Sequence, residues 1–297
     1  MSIHFTSAVP QFAVADVART ANYYQQVLGF EIGGYWDGER VHYDEDATAV
    51  FGIVHRDDVR LHFNRAEESY TRTERTDGGY DLYFHVVGID DLAEDLRCRG
   101  AEILDGPEDR IYGQRELVVR DCNGLLLAFG ETRDHDSSAG NTDLKMSEPS
   151  ELVPSRLNLS PAVPIFRVEN LDASVAYYVD HLGFQLQWRG DPLASVGRDR
   201  TSIMLSEGDQ GHPGTWVWIA ADDVDELYAE LRARGAHLRH PPTNYPWGSR
   251  ECQVTDLDRH VLRFGAESSP GEPLGPWLDG TGRLWTPQSD GSWRTVD

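Results

Sequence analysis

Apolar residues recur at helical spacing in four short stretches. Val17, Ala21, Tyr24 and Leu28 fall at i, i+4, i+7 and i+11, one face of a helix. Leu171, Val175, Tyr178 and Leu182 repeat that face, and Leu92/Leu96 and Leu227/Leu231 mark two further helices. Asp16 and Asn170 stand where N-caps belong, and Gly29, Gly183, Gly100 and Gly235 where helices end. Strands are expected near Val9 to Val14, ending near Val86 and Ala220, and as closing pairs: Glu116 to Val119 with Leu125 to Phe129, and Cys252 to Thr255 with His260 to Phe264. Trp216 and Trp218 alternate with Val217 and Ile219, which puts both indoles on one face. The order predicted is β-α-β-β-β twice in each half of the chain, an α+β fold.

The halves are copies of one another. Ala8-Val9-Pro10, Tyr23-Tyr24 and Leu28-Gly29-Phe30 return as Ala162-Val163-Pro164, Tyr177-Tyr178 and Leu182-Gly183-Phe184, at an offset of 154. Leu96-Arg97, Arg115-Glu116, Asp121 and Phe129-Gly130 return as Leu231-Arg232, Arg250-Glu251, Asp256 and Phe264-Gly265, at an offset of 135. The first copy is longer through Glu67 to Tyr80, a polar stretch of alternating charge that reads as a surface loop. The divisions expected are a first domain over 1–131, a Ser-, Asp-, Asn- and Pro-rich linker over 132–159, a second domain over 160–266 and an extension over 267–297. Trp277, Trp285 and Trp293 punctuate the extension, with Asp279-Gly280 and Asp290-Gly291 between them as turn signals. It reads as a small strand-turn addition packed on the body, or as a lid over a cleft.

Charge narrows the partners. Of 297 residues, 50 are acidic and 27 are Lys or Arg, a net charge of −23. That field repels nucleic acid and anionic membrane and attracts small cations. Cys98, Cys122 and Cys252 are too scattered for a disulfide framework or a zinc site. No apolar run approaches the roughly 20 residues of a spanning helix. Met1 to Pro10 lacks the basic and apolar regions of a signal peptide, so a cytoplasmic location is expected.

Several segments resemble bleomycin-binding resistance proteins of the vicinal oxygen chelate superfamily, which also holds glyoxalases and dioxygenases. They are Thr6-Ser7-Ala8-Val9-Pro10, Asp16-Val17-Ala18 and Arg56-Asp57-Asp58-Val59 in the first copy. In the second they are Trp216-Val217-Trp218-Ile219, Asp225 to Glu230, Pro246-Trp247-Gly248-Ser249-Arg250-Glu251 and Leu262-Arg263-Phe264. The resemblance covers roughly residues 5–130 and 160–266. It implies paired β-α-β-β-β modules around curved sheets with ligand clefts on the concave side. It also implies strand exchange hinged near Pro10, so that the chain is a family dimer fused into a monomer.

Metal-using relatives place His, Gln or Glu at matched concave strand positions. Aligned by motif, those positions are Val9, His62, Asp81 and Ala128 in the first domain and Val163, Met204, Trp216 and Arg263 in the second. The second set offers no ligand and the first at most two, so neither a metal nor another cofactor is expected unless Gln11, His55 or His85 joins. His62 and Asp81 remain the candidate catalytic pair, a base and its orienting carboxylate. Trp188, Trp216, Trp218, Trp247, Tyr35 and Tyr112 are the candidate ligand-binding residues, suited to stacking and cation–π contacts. Arg115-Glu116 and Arg250-Glu251 read as structural ion pairs or a cleft rim. The leading expectation is a binding protein that sequesters a flat, cationic, drug-like molecule in resistance or self-immunity. A lyase, isomerase or dioxygenase of the same superfamily, working through His62 and Asp81, is the alternative, and a structural or regulatory partner with an empty cleft is the third.

Overall fold

The caps expected from sequence open the helices of the first and third modules. Asp16 and Asn170 are extended, and each side chain accepts a backbone N–H at 2.9 Å, from Arg19 and Ala173 respectively. Gly29 and Gly183, with φ of 72° and 75°, then let the chain turn back into a strand. The computed structural model describes residues 3–38, 40–43, 48–66, 79–133, 158–278, 284–289 and 293–296.

Four modules follow in order. The first holds β1 (Phe5–Val14), α1 (Val17–Gln26), β2 (Glu31–Trp36), β3 (Val41–His42), β4 (Phe51–Arg56) and β5 (Val59–Arg65). The second holds β6 (Leu82–Val87), α2 (Ile89–Cys98), β7 (Glu102–Asp109), β8 (Gln114–Arg120) and β9 (Leu126–Thr132). After β10 (Asn158–Leu159), the third holds β11 (Val163–Arg167), α3 (Leu171–Asp180), β12 (Gln185–Gly190), β13 (Leu193–Arg198) and β14 (Thr201–Ser206). The fourth holds β15 (Trp216–Ala221), α4 (Val224–Ala233), β16 (Leu238–Asn244), β17 (Ser249–Thr255) and β18 (Val261–Glu267). A small sheet of β19 (Trp277–Leu278), β20 (Leu284–Pro287) and β21 (Trp293–Val296) ends the chain.

The modules are shared between two sheets. Sheet A runs β16-β17-β18-β15-β1-β5-β4-β2-β3, joining the fourth module to the first. Sheet B runs β12-β13-β14-β11-β6-β9-β8-β7, joining the third to the second. The seams are antiparallel pairings across the repeats, β1 with β15 and β11 with β6. Each repeat nevertheless keeps a core of its own. Val14, Tyr24, Leu28, Leu61, Phe63, Phe84, Leu92, Leu96 and Phe129 pack in the first, between its two modules. Phe166, Tyr178, Leu182, Leu205, Leu227, Leu231 and Phe264 pack in the second, joined by Ile3 and by Phe5 of β1. A buried hydroxyl–carboxylate bond ties helix to closing strands in both: Tyr24 to Asp121 at 3.1 Å and Tyr178 to Asp256 at 3.0 Å.

The strand β10 lies within the stretch expected as linker and pairs with β6. Most of the loop expected over Glu67 to Tyr80, the linker residues 134–157 and both Asp-Gly turns of the extension lie outside the described residues. No described helix is long and apolar enough to cross a membrane.

Candidate functional site

Strand alternation assembles the concave floor of sheet A. On β1 Gln11 stands beside His62 of β5 on one side and Trp216 of β15 on the other, and Val9 stands beside Trp218. Trp218 in turn neighbours Arg263 of β18. Ile53 is opposite His62, Trp36 opposite Phe51, and Glu251 of β17 opposite Gly265. The glycine is required by geometry, since a Cβ at Gly265 would stand 2.7 Å from the Trp218 indole nitrogen. Gly130, its equivalent in sheet B, makes the same room for the Tyr83 hydroxyl. The recurring Phe-Gly pair therefore has a physical reason: the phenylalanine fills the core and the glycine admits a large ring on the cleft side.

Two charges are buried on this floor. Glu251 accepts from Trp247 Nε1 at 2.9 Å, Ser249 Oγ at 2.5 Å and Arg263 at 3.0 Å and 2.5 Å. Burial pushes its pKa up, but Arg263, Ser249 and Trp247 together outweigh burial and hold it below the usual carboxylate range. Arg263 also donates to Gln11 Oε1 at 3.3 Å. His62 sits among aromatic rings, 5.0 Å from Phe51 and 6.2 Å from Trp218 between centroids. Burial, with Arg263 and Arg60 adding positive charge, pushes its pKa down to about 3. At neutral pH it is an uncharged imidazole.

An aromatic cluster rims the floor. Tyr245 stacks on Trp247 at 4.7 Å, Arg263 lies 5.7 Å over the same indole, and Trp277 of the extension meets it edge-on at 5.6 Å. Trp36 approaches at 6.5 Å, and Trp285 and Trp293 flank Trp277. The extension thus packs on the body, and the surface it covers is the rim of the sheet A cleft.

Sheet B carries the corresponding carboxylate in different company. Glu116 accepts from the hydroxyls of Tyr112 at 2.7 Å, Tyr83 at 3.0 Å and Tyr80 at 3.4 Å, and from Arg110 at 3.3 Å. Burial and the carboxylate raise the pKa of all three phenols, so they stay protonated donors. Where sheet A has Gln11, His62, Trp218 and Arg263, sheet B has Ile165, Met204, Tyr83 and Ala128.

Several placements differ from the sequence reading. His62 is on β5 of sheet A, whereas Asp81 directly precedes β6 of sheet B, so they form no base and orienting carboxylate. Asp81 instead pairs with His212 at 3.2 Å and accepts the Leu126 N–H at 2.8 Å. Trp188 is on β12, the edge of sheet B, 44% exposed and apart from Trp216, Trp218 and Trp247 of sheet A. Tyr35 is buried in the core on the other face of β2, because its neighbour Trp36 takes the concave side. Tyr112 faces Glu116 in sheet B. Arg115 and Arg250 do not pair with the glutamates that follow them, since consecutive strand residues point to opposite faces. They bind Asp90 and Asp225 at the starts of α2 and α4, at 2.7 Å in each case. The β1 position beside His62 is Gln11, two residues beyond Val9. Trp36, Phe51, Glu251 and Arg263 complete the site. Gln11, named in the sequence only as a possible added ligand, and Glu251, named only within a possible ion pair or cleft rim, gain their floor positions from the β1 count beyond Val9 and the alternation of β17.

The metal of glyoxalase-type relatives does not fit these residues. Among the four floor positions of sheet A only Gln11 and His62 can be ligands, and Arg263 places a cation beside them. Among the described residues no group of three or more His, Cys, Asp or Glu side chains is placed to hold a metal ion.

A family model, the Glyoxalase/Bleomycin resistance protein/Dioxygenase superfamily, matches residues 3–129 and 161–264. A curated relative, the "Virulence protein STM3117" of Salmonella typhimurium, is 25% identical over 122 residues, covering 40% of this chain and 78% of that protein. Among solved structures, glyoxalase I from Zea mays superposes with a TM-score of 0.59 at 15% identity, covering 89% of this chain and 92% of its own. A putative dioxygenase from Bacillus subtilis gives a TM-score of 0.61 at 11% identity, covering 90% and 86%. At such identities these two structures establish the fold alone, and it is the same fold of concave sheets described above. With the family match spanning both repeats, the chain belongs to the glyoxalase/bleomycin resistance protein/dioxygenase superfamily.

Proposed function

We propose that this chain is a metal-independent binding protein that sequesters a flat, drug-like small molecule in the cleft of sheet A, as a resistance or self-immunity protein does. The observation that carries this reading is the floor itself: Trp218, His62 and Phe51 form an apolar aromatic wall above buried polar groups. Such a wall suits a planar ring, each stacking contact being worth about 0.5 to 1.5 kcal/mol beyond burial. Trp247 plays a different part from that expected of it, because Tyr245 and Arg263 already occupy its ring. It holds Glu251, and Trp218 is the stacking surface. A cationic arm on the ligand suits the net charge of −23, which concentrates cations near the protein. The two repeats wall both clefts, so the protein acts as a monomer.

The enzyme reading is weaker on chemical grounds. It needs His62 as a base, and an imidazole whose conjugate acid has a pKa of about 3 takes a proton poorly at neutral pH. The test is a tryptophan-fluorescence titration with N-(2-dimethylaminoethyl)-1,8-naphthalimide, a flat neutral ring on a cationic arm, before and after exhaustive dialysis against EDTA. Equal saturable quenching in both states, weakened by salt and lost in Trp218→Ala, supports the reading. Quenching that disappears on chelation, or none at all, overturns it.

A further inference from the structure

The floor of sheet A holds a donor with nothing to donate to. Gln11 is 3% exposed, and its Nε2 has no hydrogen-bond partner among the described residues. The amide cannot remedy this by flipping. Its Oε1 accepts from Arg263 at 3.3 Å, and exchanging the two ends would set an NH2 group against a guanidinium. The amide nitrogen is therefore the end that Arg263 does not engage, on a residue whose strand neighbours are His62 and Trp216.

Two further buried donors at the rim are also unpartnered, Trp36 Nε1 and Trp277 Nε1. They belong to one connected group: Trp36 neighbours Phe51, which touches His62, and both Trp36 and Trp277 contact Trp247. Buried donors are nearly always satisfied in native proteins, and an orphaned one costs as much as a lost hydrogen bond. Glu251 is committed to Trp247, Ser249 and Arg263, and no hydrogen bond joins Gln11 Nε2 to the neighbouring His62 ring.

We propose that the sheet A cleft selects a planar ring system whose edge carries hydrogen-bond acceptors, carbonyl oxygens or ring nitrogens, which meet Gln11 Nε2 and, at the rim, the indole N–H groups of Trp36 and Trp277. This rests on the reading of the cleft as a site for a flat ligand and adds what the ring must bear. Any cationic arm stays outside the floor, where Arg263 would repel it. Cleft B has no counterpart of the amide, Ile165 standing in place of Gln11, so the selection belongs to one cleft of the two.

The test uses fluorenone and fluorene, one planar tricycle with and without a carbonyl oxygen, titrated against the full chain by tryptophan quenching. The expected result is that fluorenone binds about tenfold more tightly than fluorene. Gln11→Leu, which keeps the bulk and removes the N–H, should bring the two probes within about twofold of one another by weakening fluorenone. Trp36→Phe is the second variant, keeping an aromatic ring without its N–H, and should narrow the ratio should Gln11→Leu not fold. Equal binding of both probes by the wild type overturns the acceptor inference and leaves the flat-ligand reading standing. Binding of neither overturns both.

Discussion

Trp247 donates its indole N–H to Glu251 at 2.9 Å. Tyr112, at the equivalent place in the other cleft, donates its hydroxyl to Glu116 at 2.7 Å. Each cleft is thus built on a buried carboxylate held by an aromatic donor four residues earlier, and the two differ in what else that carboxylate carries. Glu251 neutralises Arg263, whose side chain is only 13% exposed. Glu251→Gln should therefore cost about 3 to 5 kcal/mol of stability, because it leaves a buried guanidinium without its counter-charge. Urea unfolding of the variant checks this, and a loss below about 1 kcal/mol would show that water already screens the pair.

The His62 ring should remain neutral well below its ordinary titration range. Its folded pKa of about 3 lies below the usual 6.5, so between those values the unfolded chain binds the proton and the folded chain does not. The stability this group contributes is complete above about pH 6.5 and is lost as pH falls toward 3. NMR of the imidazole carbons should show no His62 titration between pH 5 and 8, and His62→Gln should flatten part of the acid-side loss. A midpoint near 6.5 would restore His62 as a candidate base.

Asp121 should show the opposite sign. Burial lifts its pKa to about 6, against hydrogen bonds from Leu125, Asn123 and Tyr24 that lower it. A raised folded value favours the folded state in acid, and that contribution is lost as pH rises through about 6. Stability curves of wild type and Asp121→Asn, measured from pH 4 to 8, should diverge on this slope, with the wild type gaining relative to the variant toward acid. Parallel curves would mean that the carboxyl stays ionised throughout.

Gly265→Ala should disturb the cleft without touching the core. The added methyl would press on the Trp218 indole, and forcing such a contact costs about 1 to 3 kcal/mol. Gly190→Ala is the matched control, with nothing within 4 Å of the new methyl, and should change stability by less than about 0.5 kcal/mol. Thermal unfolding of the pair tests this, and equal stabilities would show that Trp218 swings freely.

The module order and helix caps were legible because they are local: Asp16, Asn170 and the closing glycines act within a few residues of themselves. The concave faces were legible where alternation is regular, as at Trp216 and Trp218. Pairing between strands distant in sequence was not. His62 and Asp81 belong to one repeat, yet sheet formation sends β5 and β6 to opposite clefts, which no periodicity within the repeat announces. Trp188 follows the same rule, because β12 falls at the edge of sheet B. Tyr35 turns inward for a narrower reason, a one-residue bulge in β2 between Ile32 and Gly34. A bulge breaks the two-residue count on which side-chain direction rests.

The interleaving of the sheets separates what the chain repeats from what it binds with. Each repeat owns a core, but the first supplies β1 to β5 to one cleft and β6 to β9 to the other, and the second does the same in reverse. Among the described residues, no strand belongs to both large sheets. Ile165 stands in one floor and Gln11 in the other, on strands of different sheets, so a duplicated scaffold can specialise one chamber while the other drifts. Conversely, neither half of the chain possesses a chamber alone. A fragment cut between the repeats would carry two half-walls that suit only a complementary fragment or another copy of itself, and in the latter case His62 would face Tyr83 and Glu116 across a chamber the intact protein does not contain.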